Sequence, residues 1–134
     1  MRIKDKIEEI DKYLEELYSF IPNDFNEYEN DFKIKAACER YFERIIEAVI
    51  DLAFLFVRDK GLKKPEDDEV VFDILHDNDV ISKELNERLK NAKGMRNIIS
   101  HKYSNIDDNI VFESVSERLD KDVREFIESL TKQL

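Results

Sequence analysis

The chain has 134 residues, 42% of them hydrophobic and 40% charged, with two glycines, two prolines and one cysteine. That length is one domain's worth, residues 1–134, with enough apolar content for a core, and a single cysteine excludes an intrachain disulfide framework and fits a reducing cytoplasm. A net charge of −10 argues against non-specific nucleic-acid binding through a broad basic surface, while a small cationic cleft stays compatible with RNA as a substrate.

Charge-rich composition with little Gly and Pro predicts a mostly helical protein. The N-terminus, Met1-Arg2-Ile3-Lys4-Asp5, is already charged and helix-patterned, so no signal peptide is expected. The longest apolar run, Leu52 to Val57, is six residues, too short to span a bilayer.

Ile3, Ile7, Ile10, Leu14, Leu17 and Ile21 repeat at helical spacing and predict a first helix from about Ile3 to Phe20, ended by Pro22-Asn23-Asp24. Asn23 to Asn30 reads as a polar, acidic connector. Asn30 or Asp31 is placed to cap a long second helix from Phe32 to about Lys60, which Gly61 stops. Two adjacent apolar stripes run along it, one through Tyr41, Ile45, Ala48 and Leu52, the other through Phe42, Ile46, Val49, Ala53 and Phe56. So wide an apolar face makes this helix central. Its polar edge, Arg40, Glu43, Arg44, Glu47 and Asp51, reads either as i,i+4 ion pairs on a solvated face or as carrying Glu47 or Asp51 toward a site. Cys38 sits among small residues and reads as inert core.

Leu62 to Glu69 is a linker. Asp67 or Asp68 is expected to cap a short third helix that turns Val70, Val71, Ile74 and Leu75 inward and leaves His76 exposed at its end. The fourth helix, from about Ser82 to Lys102, has the stripe Leu85, Leu89, Ala92, Arg96, Ile99, Tyr103. Gly94 inside it costs about 1 kcal/mol relative to alanine, which points to close approach of another helix or of a ligand. Ser104-Asn105-Ile106-Asp107 ends the helix, placing Tyr103 in its last turn. A fifth helix starts at Asp107 or Asp108 and turns Val111, Val115, Leu119, Val123 or Phe126, Leu130 and Leu134 inward. Short loops between such helices give an all-α, up-and-down bundle of four main helices plus a short one.

Arg96 stands where the fourth helix's stripe calls for an apolar residue. A guanidinium stays charged, so removing it from water is costly unless it gains partners. At about 100° per residue, Arg96, Asn97, Ser100, His101 and Tyr103 share less than half the helix circumference. Together they supply a fixed cation, an amide, a hydroxyl, a proton carrier that titrates near neutrality and a phenol, a set suited to a phosphodiester. The plainer reading is a partly exposed helix end, where His101 and Lys102 complement the macrodipole.

The spacing Arg96-Asn97…His101-Lys102-Tyr103, or Arg-x4-His-x-Tyr, resembles the HEPN superfamily and within it the HepT toxin family. Leu85 to Tyr103 is similar to that family's motif helix, including the Gly-x-Arg-Asn step. Asp31 to Ala53, with Ala37, Glu39-Arg40 and Glu47-Ala48, is similar to its second helix. Lys102 departs from many relatives, which have an acidic or small residue there; it adds a cation and leaves the motif intact.

The resemblance implies a HEPN-like helical bundle, a homodimer with the two motif helices near the two-fold axis, and metal-independent endoribonuclease activity with no cofactor. It implies RNA as substrate and a minimal nucleotidyltransferase (MNT) antitoxin as partner, which in studied relatives transfers AMP to the motif tyrosine, here Tyr103. Arg96 and His101 are then the catalytic pair, with Asn97, Ser100 and Tyr103 in support. Two other readings stay open: a non-catalytic HEPN docking subunit of a nucleotidyltransferase, in which His101 holds a nucleotide, and a helical dimerisation protein with a polar interface.

Overall fold

The computed structural model describes residues 2–101 and 106–134; Lys102 and Tyr103 lie outside them. Among the described residues the chain is all helical: α1 (Ile3–Tyr18), α2 (Phe25–Glu29), α3 (Phe32–Asp59), α4 (Val71–Asp77), α5 (Lys83–His101), α6 (Asp108–Glu113) and α7 (Leu119–Thr131), with a π-helical turn, Ser114–Arg118, joining the last two. No helix among them is long and apolar enough to cross a membrane.

α3 is the centre. It packs most extensively against α1 and also touches α2, α4 and α5, because both of its apolar stripes are buried: Cys38, Phe42, Ile45, Ile46, Val49, Leu52, Ala53 and Phe56 all lie inside. Burial pushes the Cys38 thiol up to about 11, so at neutral pH it is a packing group, not a nucleophile. Asp31 caps the helix by accepting from the backbone N–H groups of Lys33 (3.0 Å) and Ile34 (3.1 Å). Gly61, at φ +65°, ends it. The N–H of Gly61 reaches the Arg58 carbonyl and that of Leu62 the Val57 carbonyl, the double closure that a left-handed residue after the helix permits.

Three segments differ from expectation. The connector at 23–30 contains α2, where Asp24 accepts from the N–H of Glu27 and Tyr28 is fully buried against Phe25 and Phe112. One buried aromatic turn is too short to show a period in sequence. α4 begins at Val71 with no side-chain cap. Asp67 closes the preceding turn on Glu69 N–H, Val70 is exposed, and Phe72 takes the buried place assigned to it. His76, at the end of α4, is half-buried beside Asp77.

The third difference explains an ambiguity in the last helix. Val111, Val115, Leu119, Val123, Phe126 and Leu130 are all buried, although three successive steps of four drift round a regular helix by about 40° each. The π-turn absorbs that drift, so both Val123 and Phe126 point inward. The Tyr18 hydroxyl donates to the Val115 carbonyl within the turn (3.1 Å). Leu134, expected on the inner face, is exposed.

Candidate active site

The site lies where the C-terminal half of α5 crosses the polar edge of α3. Ser82 Oγ accepts from Leu85 N–H at the start of α5, and Leu85, Leu89 and Ile99 seat the helix on the core. Arg88 ties it to α7: its two terminal nitrogens donate to Asp122 (2.7 Å) and Glu125 (2.8 Å).

Two pairs set the register. Ser100 Oγ donates to Glu43 (2.8 Å), and the Arg96 guanidinium faces Glu47 (3.9 Å). Advancing along α5 retreats along α3, so the two helices run antiparallel and successive turns face each other. Of the two acids expected to approach the site, Glu47 does so. Asp51, one turn on, pairs with Lys6 of α1 instead (3.5 Å). Arg40 leans on Glu43 (3.9 Å).

The linker supplies the other wall. Asp68 approaches Arg96 (3.5 Å) and also Lys93 (3.5 Å), whose ammonium is bonded to Glu69 as well. Lys93 is buried, and two carboxylates satisfy it. Arg96 is held differently. Its side chain is only 15% exposed, both carboxylates sit beyond good hydrogen-bond range, and its Nε is buried with no partner among the described residues. A buried charged donor left unpaired is costly, so this guanidinium keeps capacity for an oxyanion.

Asn97 is half-buried one turn before His101, and both Ser100 and His101 are exposed. Arg96 and Ser100 therefore face the polar edge of α3, and Asn97 and His101 follow on the same C-terminal turns of α5, His101 open to solvent. Tyr103 lies outside the described residues. Sequence reading missed Lys93, Asp68 and Glu43. Lys93 precedes Arg96 by three positions and is on its face of the helix, a signal that was available. Asp68 lies in the acidic run Glu66-Asp67-Asp68-Glu69, which in sequence reads as solvated linker.

Among the described residues, a Cβ placed at Gly94 meets nothing within 4 Å. The close neighbour expected there is thus not found among the described residues of this chain. Gly94 instead borders a groove with Met95, Ile98, Ile106 and Ile110, where Ile98 and Ile110 are exposed. Among the described residues no three of His, Cys, Asp and Glu converge to hold a metal ion.

The family model of the ribonuclease HepT-like proteins matches residues 10–130. The chain belongs to the ribonuclease HepT-like family. An mRNA nuclease HepT of Shewanella oneidensis is 30% identical to this HepT-like chain over 105 residues, 78% of each protein. A tRNA nuclease HepT of Aphanizomenon flos-aquae is 27% identical over 114 residues, 85% of this chain and 78% of that protein. In three dimensions the HepT-like chain superposes with a TM-score of 0.88, at 28% identity and over 97% of its length and 96% of the other, on a tri-AMPylated Shewanella oneidensis HEPN toxin solved in complex with its MNT antitoxin. The all-α fold and the family resemblance read from the motif helix are both borne out.

Proposed function

We propose that this HepT-like chain, as one domain over 1–134, is the toxin of a toxin–antitoxin pair, an endoribonuclease that cleaves RNA at the Arg96–His101 edge. The observation that carries the reading is the Arg96 guanidinium, largely buried on the motif helix, loosely held and with an orphaned Nε. Family membership and the nuclease relatives support it.

RNA brings its own nucleophile. The 2′-OH attacks the adjacent phosphorus in line, the bond to the 5′ oxygen breaks, and the products are a 2′,3′-cyclic phosphate and a 5′-hydroxyl. One proton leaves the 2′-OH and one joins the departing oxygen. His101 is the proton carrier at the groove mouth. Arg96 receives the phosphate and stabilises the charge that builds on its oxygens. Asn97 and Ser100 flank the same edge, Asn97 to position His101 and Ser100 tied back to Glu43. This chemistry needs no metal.

The active form is a homodimer, in which two His101 side chains divide the acid and base roles. The groove of Gly94, Ile98 and Ile110 is an apolar face suited to a second copy. The partner is an MNT antitoxin, as in the complex of the Shewanella toxin. It neutralises the toxin by transferring AMP to Tyr103, two residues from His101, which puts bulk and negative charge where the RNA phosphate enters. A cytoplasmic location follows from such a target.

The test is cleavage of a defined RNA in EDTA by the parent and by His101→Ala, with the product ends analysed. Cyclic phosphate ends from the parent, none from His101→Ala, and a mass gain of AMP units on Tyr103 after incubation with antitoxin and ATP are expected. A freshly purified parent without an adduct on Tyr103 that leaves RNA intact would sink the nuclease reading in favour of a docking subunit.

A further inference from the structure

One large cleft lies away from the motif. It measures about 780 Å³ and lies between the start of α1, the end of α3 and the linker that follows. Phe54, Leu55, Leu62 and Pro65 form an apolar wall, and Arg58 and Lys64 stand at its edge. At the inner end Lys6 meets Asp51 and Glu9. Burial works to lower the Lys6 pKa, but the bonds and charges of Glu9 and Asp51 hold it above the ordinary lysine value. It stays cationic, and its charge is already matched.

Arg58 and Lys64 are different. Both are exposed and, like several other surface cations of this chain, form no ion pair among the described residues, so at the cleft edge their charge is open to a ligand. Two unmatched cations beside an apolar wall that includes an aromatic ring suit a nucleotide, with the phosphate at the edge and the base on the wall. The volume is within the range of small-molecule sites.

The cleft also adjoins the Arg96 site by two separate routes. Along α3, Glu47 faces Arg96, Asp51 one turn later lines the cleft, and Phe54 and Arg58 continue the same stripe. The distance from Glu47 to Phe54 and Arg58 is about 10–16 Å along the helix axis. Along the linker, Lys64 and Pro65 line the cleft, and Asp68, at most about 14 Å of extended chain from Lys64, touches Arg96.

Resting on the nuclease reading above, we propose that this cleft is an RNA subsite: a nucleotide flanking the scissile phosphate puts its base against Phe54 and Leu62 and its phosphate on Arg58 and Lys64. The strand then runs along the α3 edge from the Arg96–His101 groove to the cleft. Nucleotides on only one side of the cleaved bond reach it, so RNA extended on that side binds more tightly than RNA extended on the other.

The experiment uses the full-length protein, an RNA whose cleavage position by the parent has been mapped, a dinucleotide of the same step, and versions extended on either side. The variant Arg58→Gln/Lys64→Gln changes two exposed side chains outside the catalytic edge. It is expected to bind RNA extended on one side about tenfold more weakly than the parent. Its log K against log salt slope is expected to fall by about 1.4, at about 0.7 per lost phosphate contact on a single strand. Dinucleotide cleavage is expected to be unchanged. In His101→Ala, a photoreactive base on that side is expected to crosslink within residues 54–65. Equal affinity and slope in parent and variant, with crosslinks elsewhere, overturn the subsite. So does a variant that binds RNA normally but loses the antitoxin, which assigns the cleft to the protein partner. A parent that neither binds nor cleaves RNA overturns the nuclease reading as well, so the two failures appear in different proteins.

Discussion

Two arginines on α5, two turns apart, show how one helix serves both fold and chemistry. Arg88 donates to Asp122 and Glu125 at 2.7 and 2.8 Å, distances of strong charge-assisted bonds. Arg96 is more buried than Arg88, at 15% against 35% side-chain exposure, yet its carboxylates stay at 3.9 and 3.5 Å and its Nε is orphaned. Burial without saturation is costly, which is what the proposed anion-binding role of Arg96 would account for. Arg88 ties α5 to α7, and Arg96 has the proposed task of meeting an anion.

Substituting each arginine separates the two roles. Arg96→Ala is expected to lower RNA cleavage by about 10²–10³-fold, the loss typical of a group that stabilises developing charge, while the urea midpoint of unfolding changes little. Arg88→Ala is expected to do the reverse. It costs about 1–2 kcal/mol of stability, because Asp122 stays buried without its partner, and cleavage per folded molecule is kept. Equal effects of the two variants on activity would break the comparison.

Acid sharpens the Arg88 half. Burial raises the Asp122 pKa although Arg88 pulls it down. A carboxyl raised in the folded state costs stability as pH climbs from its unfolded value, about 3.9, through its folded one. Arg88→Ala removes the restraining cation and raises that pKa further. The stability gap between Arg88→Ala and the parent is therefore expected to widen from about pH 3 to pH 7. A gap constant with pH, read from urea melts, would mean Asp122 does not depend on Arg88.

Gly94, between the two arginines, tests the exposed face. A Cβ there meets nothing within 4 Å among the described residues, so Gly94→Ala is expected to stabilise the isolated chain by about 1 kcal/mol in urea melts. If a second copy packs closely there, sedimentation will show the dimer weakened. The smallest expected effect is at Asp68. Its carboxylate covers Arg96 (3.5 Å) where a phosphate would sit, so Asp68→Asn is expected to lower the KM for RNA by about two- to threefold, the scale of a half-exposed ion pair. A higher KM would mean Asp68 orients Arg96 and does not compete with substrate.

The arginines also show what a sequence makes legible. The period of the stripes placed α1, α3 and α5 within one or two residues, Gly61 marked the end of α3, and the break in the α5 stripe singled out Arg96. Those signals are local, carried by one helix each. Asp68 was not legible, because its role depends on a linker folding back over another helix, whereas Lys93 was within reach of the same helical spacing that singled out Arg96. α2 was lost for lack of length, and the π-turn because a steady step of four looks regular until its drift is added up. The unmatched state of Arg96 emerges only when the distances to Glu47 and Asp68 are known.

The most direct test of the account is the rate of cleavage of a defined RNA in EDTA by the parent, Arg96→Ala and Arg88→Ala, at a temperature where all three are folded. The account predicts cleavage by the parent and by Arg88→Ala, and loss of about a hundredfold or more in Arg96→Ala. Undiminished cleavage by Arg96→Ala would contradict it, since the phosphate would then be held by some other group.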